Sequence, residues 1–442
     1  MNFTLHINQK LNKRQALRLL ELIRFVGPVL GSMVLAKAWG AGEALVSFEK
    51  LLFVFQAISF SVIWASVSDF YARPRWQPEK SARGSDSVLF LLLSGLGLIC
   101  SMVLVAFGLL QGFDLSITLA LAVYVLLLTP SLLTEFSWIR QGYPLRALFF
   151  MLLHQMGFVL VAGLPFVFDQ PPTTCIWGLP LLAILRFGTA FFIEHGLRFS
   201  FPHHSDVVER IKGLLPLVGS YLLAGSQLYW AGFVVGFVLS DNDFLLFRYG
   251  CREIPLAHLL TAPLWMHTAA FMSENQQRVS PNWLNLWSIL SHKKETVRIL
   301  NLTFPAHIVL ILAAGYLFNW AYGPKLSSAA LPFQILALSA LASTLAPRGF
   351  LLGKNKRDFL FLTSLYEALF HAFVCVVFTY SMGIGGTALA LVLATVFEKV
   401  LLIYKAQNEG MPARQWIPWR LYGGYAILLL LALCFSLFVL NP

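Results

Sequence analysis

Apolar runs of about 20 residues follow one another along almost the whole chain, each long enough for a helix to cross ~30 Å of hydrocarbon at ~1.5 Å per residue. They fall at 18–38, 43–67, 87–111, 115–137, 147–168, 174–197, 213–238, 244–270, 299–320, 329–352, 358–380, 384–405 and 419–440. Few folds are open to such a chain. Hydrocarbon offers no partner to a backbone N–H or C=O, and a helix satisfies both within one segment. The expected fold class is therefore all-α, a polytopic membrane protein. Composition agrees: 58% of the 442 residues are hydrophobic, 12% are charged and the mean hydropathy is +0.71, which no soluble domain of this length would expose to water. The first run follows the basic, amphipathic "NQKLNKRQALRLLELIR" without a small-residue cleavage site, so a retained helix is expected rather than a signal peptide.

A net charge of +11 would suit nucleic acid if it formed one patch, but its distribution says otherwise. With the N-terminus cytoplasmic, most of the 32 Lys and Arg fall in the inner connections, while the outer ones hold only Lys37 and Lys325. This is the positive-inside pattern, and it supports the placing of the runs and a cytoplasmic N-terminus, so the basic charge reports topology and implies no nucleic-acid partner. The outer connections "GLLQGFD", "FDQPPTT", "SDND" and "SMGIGG" are too short for a folded domain, so the function is expected within or across the membrane.

Internal similarity divides the chain. "GPVLGSMVLA" (27–36) matches "LPLVGSYLLA" (215–224), pairing Pro28 with Pro216, Gly31 with Gly219 and Ser32 with Ser220. "RQGYPLRALFF" (140–150) lies against "LLGKNKRDFLF" (351–361), and Trp64 against Trp265. The expected architecture is two pseudo-symmetric six-helix bundles around a central cavity: an N-terminal lobe 1–200, a C-terminal lobe 201–407, and a linker with one extra helix at 408–442. Prolines within the runs, Pro28 and Pro255 among them, each remove a helix hydrogen bond and favour kinks.

Seven basic residues lie inside the runs, clear of their ends: Arg24, Lys50, Arg186, Arg248, Arg252, Arg348 and Lys399. A charge facing lipid at mid-bilayer costs ~2.5–3.5 kcal/mol even on the most lenient scale, so inward orientation is expected. Arg248 and Arg252 stand one helical turn apart on one face, ~6 and ~12 Å from the outer end of their run. Glu49 and Lys50 lie at similar depth in the matching helix of the first half, and Arg24 about 9 Å from the inner edge of its run. Three readings follow. Arg24, Lys50, Arg248 and Arg252 line a wet cavity and bind an anionic substrate, arginine's planar fork being suited to phosphate. Alternatively, Glu49 and Glu253 pair with these cations and close a gate, or the cations snorkel to lipid headgroups.

Glu367 and His371, four apart, share a helix face as a candidate proton relay or a polar contact between helices. Arg186 has no second cation one turn away, with Glu194 at the inner end of its run; Glu398 and Lys399 are expected to snorkel or pair locally; Arg348 is expected to meet headgroups or the cavity. Five scattered cysteines and ten dispersed histidines form no metal-ligand or disulfide pattern, so no metal and no cofactor are expected. No P-loop, G-x-S-x-G or H-E-x-x-H occurs, so no catalytic residues are assigned.

The stretches "DNDFLLFRYGCREIPLAHLLTAPLW" and "ILALSALASTLAPRGFLLGKNKRDFLFLTSLYEALFHAFVCVVFTYSMGIGGTALALVLATVFEKVLLIYKA", with the helix number and two-lobe repeat over 18–407, resemble bacterial oligosaccharide-lipid flippases. These share a superfamily with multidrug and toxin extrusion (MATE) exporters and lipid II flippases. The resemblance implies a bacterial inner-membrane flippase that moves polyprenyl-diphosphate-linked oligosaccharide outward by alternating access, with basic cavity residues holding the diphosphate. It further implies membrane lipids, a polysaccharide polymerase and glycosyltransferases as partners. A cation-coupled MATE-type drug exporter is the main alternative, although its cavity would favour acidic groups. A polysaccharide polymerase or ligase would need a larger outer loop than any here. The lipid II branch commonly carries an extra pair of C-terminal helices, whereas this chain has a single one.

Overall fold

The computed structural model describes residues 13–72, 79–141, 143–194, 204–251 and 281–440, together with Thr261 and Thr268. The described residues form helices and connections throughout. They divide into two compact units, Met1–Gly225 and Ser226–Pro442, the division falling inside one long helix.

In the N-terminal unit the helices are α1 (Lys13–Trp39), α2 (Glu43–Ala72), α3 (Glu79–Gln111), α4 (Leu115–Ser131), α5 (Thr134–Gln141), α6 (Pro144–Phe168), α7 (Gly178–Glu194) and the first part of α8 (His204–Val238). α1 packs along α6, α3 along α4, and α4 along α7. Gly27 and Gly31, one turn apart on α1, set its backbone close against Gln155 and Phe158 of α6. Small residues at such spacing allow the close approach by which helices associate in lipid, where no water is available to drive them together. Leu20, Leu89, Phe136, Trp138, Ala147 and Met151 form an apolar core. Leu110 and Phe166 instead lie on the unit's outer surface, as residues facing hydrocarbon do.

α4 begins where the Asp114 carboxylate accepts from the backbone N–H of Ser116 (2.8 Å) and Ile117 (3.1 Å), satisfying two N-terminal donors. It ends one residue beyond Pro130, and α5 starts three residues after its last residue. The apolar stretch Leu115–Ile139 is thus a span interrupted at a proline.

The C-terminal unit contains the rest of α8, then α9 (Asp241–Gly250), α10 (Pro281–Tyr322), α11 (Arg357–Asn408) and α12 (Trp419–Phe435). α9 stops at Gly250, with Cys251 as C-cap donating to Phe247 O (2.8 Å); the rest of the expected run 244–270 falls on residues 252–260, 262–267 and 269–270, which lie outside the described ones. The expected run 329–352 is corrected. The helical stretch runs Pro324–Ser343, as a 3₁₀ turn Pro324–Ala329, a helix Ala330–Leu336, a 3₁₀ turn Ala337–Ser339 and a helix Ala340–Ser343, and is followed, after a break that includes Pro347, by a separate helix Arg348–Gly353. Pro347 supplies no N–H to continue a helix through that point.

α11 holds two runs joined at Gly383, whose φ of 61° and ψ of −143° suit only glycine. Thr379 and Thr387 meet across this turn through their hydroxyls at 2.8 Å. Trp416, Phe350, Leu351, Leu402 and Met411 build an apolar core around the other end of α11.

Among the described residues, nine helical stretches are long and apolar enough to cross a membrane, or ten if a bent pair within α8 is one span. The chain is an all-α, multi-pass membrane protein.

Candidate functional site

Arg248 sits on α9 seven residues past its first residue, Asp241. The helix start is set by a capping box: the Ser240 hydroxyl accepts from the Asp243 N–H, and the Asp243 carboxylate accepts from the Ser240 N–H, both at 3.2 Å. At the other end, Gly250 brings the backbone so close to the Ala329 carbonyl and Pro332 that a Cβ would collide with both. Tyr249 stacks obliquely on Tyr322, ring centroids 5.0 Å apart, and Tyr322 on Phe318 at 5.3 Å. These contacts fix the helix that carries Arg248. Its side chain is 8% exposed, and Tyr229 of α8 lies within reach of its charge. Arg252 and Glu253, its expected companions, lie outside the described residues.

In the N-terminal unit, Lys50 stands seven residues past the start of α2, as Arg248 does on α9. Its ammonium lies 6.0 Å from the Phe113 ring centroid, at the outer limit for a cation–π contact. Glu49 beside it is 1% exposed. Arg24 lies within α1, but its side chain is outside the described ones. The residues proposed from sequence therefore fall in both units, and the structure gives the surroundings of Glu49, Lys50 and Arg248.

Glu367 and His371 are both buried on α11. The Gln227 side chain hydrogen-bonds the Glu367 carboxyl, and Trp230 Nε1 donates to the Ala372 carbonyl at 3.3 Å, holding α8 against this turn of α11. Glu398, further along α11, is close enough for its charge to act on Glu367. Its carboxylate takes Lys399 Nζ at 2.7 Å and Arg348 Nη1 at 3.7 Å. Lys399 thus pairs locally, and Arg348 meets a carboxylate within its own unit. Sequence spacing identified the Glu367–His371 face but not Gln227 or Glu398 as its neighbours, because these come from distant segments.

A second polar cluster, which sequence reasoning missed, lies in the N-terminal unit. Arg186 of α7 forms an ion pair with Glu135 of α5, their side chains 2% and 0% exposed. Arg186 Nε also donates to the Ser131 hydroxyl at 2.9 Å, so one guanidinium holds both sides of the α4–α5 interruption. The guanidinium carbon is 4.9 Å from the Phe150 ring centroid. Nearby on α4 and α6, the Tyr124 hydroxyl and His154 Nε2 are 3.2 Å apart, within reach of the Arg186 charge. The available signal was charge balance: a mid-span arginine needs a buried acid, and Glu135 is one of the acids within the apolar runs.

No protein-family model matches this chain, and no curated protein does. Solved structures do. The chain is similar to a lipid II flippase, MurJ, in an inward closed conformation (TM-score 0.67, 14% identity, 96% of this chain and 93% of that one). It is similar to a multidrug resistance MATE family transporter of the MOP superfamily in an inward-facing conformation (TM-score 0.63, 12% identity, 89% and 98%). A third likeness is to a MOP superfamily transporter from Pyrococcus furiosus, described as having a binding pocket of reverse polarity that suggests a different function (TM-score 0.57, 11% identity, 89% and 94%). At these identities the likeness establishes the shared fold.

Proposed function

We propose that this protein is a transporter that moves a lipid-linked oligosaccharide from the inner to the outer leaflet by alternating access, its basic intramembrane residues holding a polyprenyl diphosphate. The observation that carries this reading is Arg248, a guanidinium withdrawn from the surface on a helix clamped at both ends. Guanidinium donates two parallel hydrogen bonds to phosphate oxygens, and burial strengthens the attraction. Lys50 at the corresponding position of α2, with Arg24 and Arg252, extends the same chemistry; Glu49 and Glu253 would pair with these cations while the path is closed. The fold shared with a flippase supports the reading. Membrane lipids, and the polymerase and glycosyltransferases that handle the same carrier, are the partners it implies, in a bacterial inner membrane with the N-terminus inside.

A cation-coupled drug exporter is the second reading, favoured by the MATE likeness and by the buried carboxyls of Glu367 and Glu398. Glu398 already faces Lys399 and Arg348, which leaves Glu367, with His371, to exchange a proton in either reading.

The test is surface polysaccharide export in cells carrying Arg248→Ala with Arg252→Ala. Export is expected to be lost while the protein stays folded and inserted. Undiminished export would remove the substrate role, and loss of drug resistance with intact export would favour the exporter.

A further inference from the structure

The Arg186–Glu135 cluster has a feature that neither its ion pair nor the proposed transport site uses. Among the described residues, three of its buried atoms have no hydrogen-bond partner: Arg186 Nη1, Glu135 Oε2 and His154 Nδ1. Arg186 is 4% exposed, Glu135 0% and His154 7%. A buried polar atom left without a partner is costly, more so when charged, so three in one cluster point to something that binds there.

Their chemistry restricts what that is. Arg186 Nη1 can only donate and Glu135 Oε2, in the ion pair, only accepts. An anion taking the proton of Nη1 would face the free carboxylate oxygen; a metal cation on Oε2 would face the free guanidinium N–H. Each satisfies one atom and is repelled by the other. His154 adds a third condition. If Tyr124 donates to Nε2, then Nδ1 carries the proton and donates; if Nε2 donates to Tyr124, Nδ1 accepts. The guest must therefore both give and take hydrogen bonds, be neutral, and be small enough for a helix-packed interior.

We propose that this cluster is a hydrated site within the N-terminal unit, in which ordered water links the Glu135–Arg186 pair to the Tyr124–His154 pair. Water accepting from Nη1, donating to Oε2 and exchanging a bond with Nδ1 satisfies all three atoms, a buried water usually making about three hydrogen bonds. The same water fits either histidine tautomer. It joins α4, α5, α6 and α7 into one polar network around the break that Arg186 spans. The inference rests on this unit alone and holds whatever the protein carries.

The test is hydroxyl-radical footprinting by X-ray radiolysis of the full chain in lipid nanodiscs, where radicals arise from bound water beside the side chains they modify. Scaled to intrinsic reactivity, Tyr124 and His154 are expected to be modified several-fold faster than Phe304, a fully buried ring among aromatic neighbours. Protection equal to that of Phe304 would overturn the proposal. In a Glu135→Leu/Arg186→Met double variant, which removes both charges together, the excess modification is expected to disappear; persistence would overturn it. A high-resolution map of the unaltered protein provides a check independent of any variant: density within hydrogen-bond distance of at least two of the three atoms supports the site. Those atoms bonded to protein groups instead would refute it.

Discussion

Arg186 and Glu135, 51 residues apart in sequence, form an ion pair inside the N-terminal unit with neither side chain more than 2% exposed. The same guanidinium bonds Ser131, so it ties together the two sides of a span interrupted just after Pro130. Breaking such a pair leaves a bare charge in a low-dielectric interior, whereas replacing both partners by apolar groups removes the problem. Arg186→Met alone is expected to destabilise the protein by about 3–5 kcal/mol. Glu135→Leu added to it should recover most of the loss. Thermal unfolding in detergent reads both, and a double variant as unstable as the single one would contradict the account.

The turn at Gly383 separates glycines of different sensitivity. A Cβ on Gly386 would press into the Phe378 carbonyl and lie 2.8 Å from Met382 Cβ, while one on Gly385 would meet Ile335 Cδ1 at an ordinary 3.5 Å. Gly386→Ala should therefore lower stability by at least ~1–3 kcal/mol, as should a side chain at Gly383, which sits at positive φ. Gly385→Ala should be tolerated. Yield of monodisperse protein and melting temperature across the three variants test the order.

Glu409 follows the last residue of α11 and accepts from Lys356 at 3.0 Å and Lys405 at 3.1 Å. Partial burial raises its pKa, but the hydrogen bonds and charges of the two lysines outweigh it and hold the carboxyl below the usual glutamate value. A depressed folded-state pKa means the stabilisation is present above the unfolded glutamate value, about 4.3, and is lost as pH falls through the folded one. Because the pair is partly solvated, its contribution should stay below ~1 kcal/mol. Hydrogen exchange in peptides covering 354–358 and 405–411 should accelerate as pH drops below about 4, after correction for intrinsic exchange. Glu409→Gln should abolish that extra response.

Ser240 and Asp243 cap the helix that presents Arg248. Ser240→Ala removes one side of the box and should cost about 1 kcal/mol. If Arg248 acts in transport, the variant should lower transport without changing membrane insertion, because it loosens the support of that helix. Ser240→Asp should restore both stability and transport, since aspartate accepts the same N–H. Unaltered transport with lowered stability would separate the cap from function.

Much of the architecture was legible in advance because hydrocarbon imposes its demand locally. Each run had to satisfy its own backbone, so the apolar runs and the glycine-rich connection before Thr387 could be read from neighbouring residues. The tenth run was carried past Ser343 because hydropathy does not register the break at Pro347, which has no N–H to continue the helix. Within the candidate sites, Glu367 and His371 were found by their four-residue spacing, whereas Gln227 and Glu398 were not.

The sequence by itself determined that this is a helical membrane protein and which charges are out of place in it, since hydropathy and the cost of charge in hydrocarbon are properties of each segment alone. The tertiary structure decided where distant charges meet: Arg186 with Glu135, and Arg348 with Glu398. Ion pairing acts through space over a few ångströms, and separation along the chain carries no record of that distance.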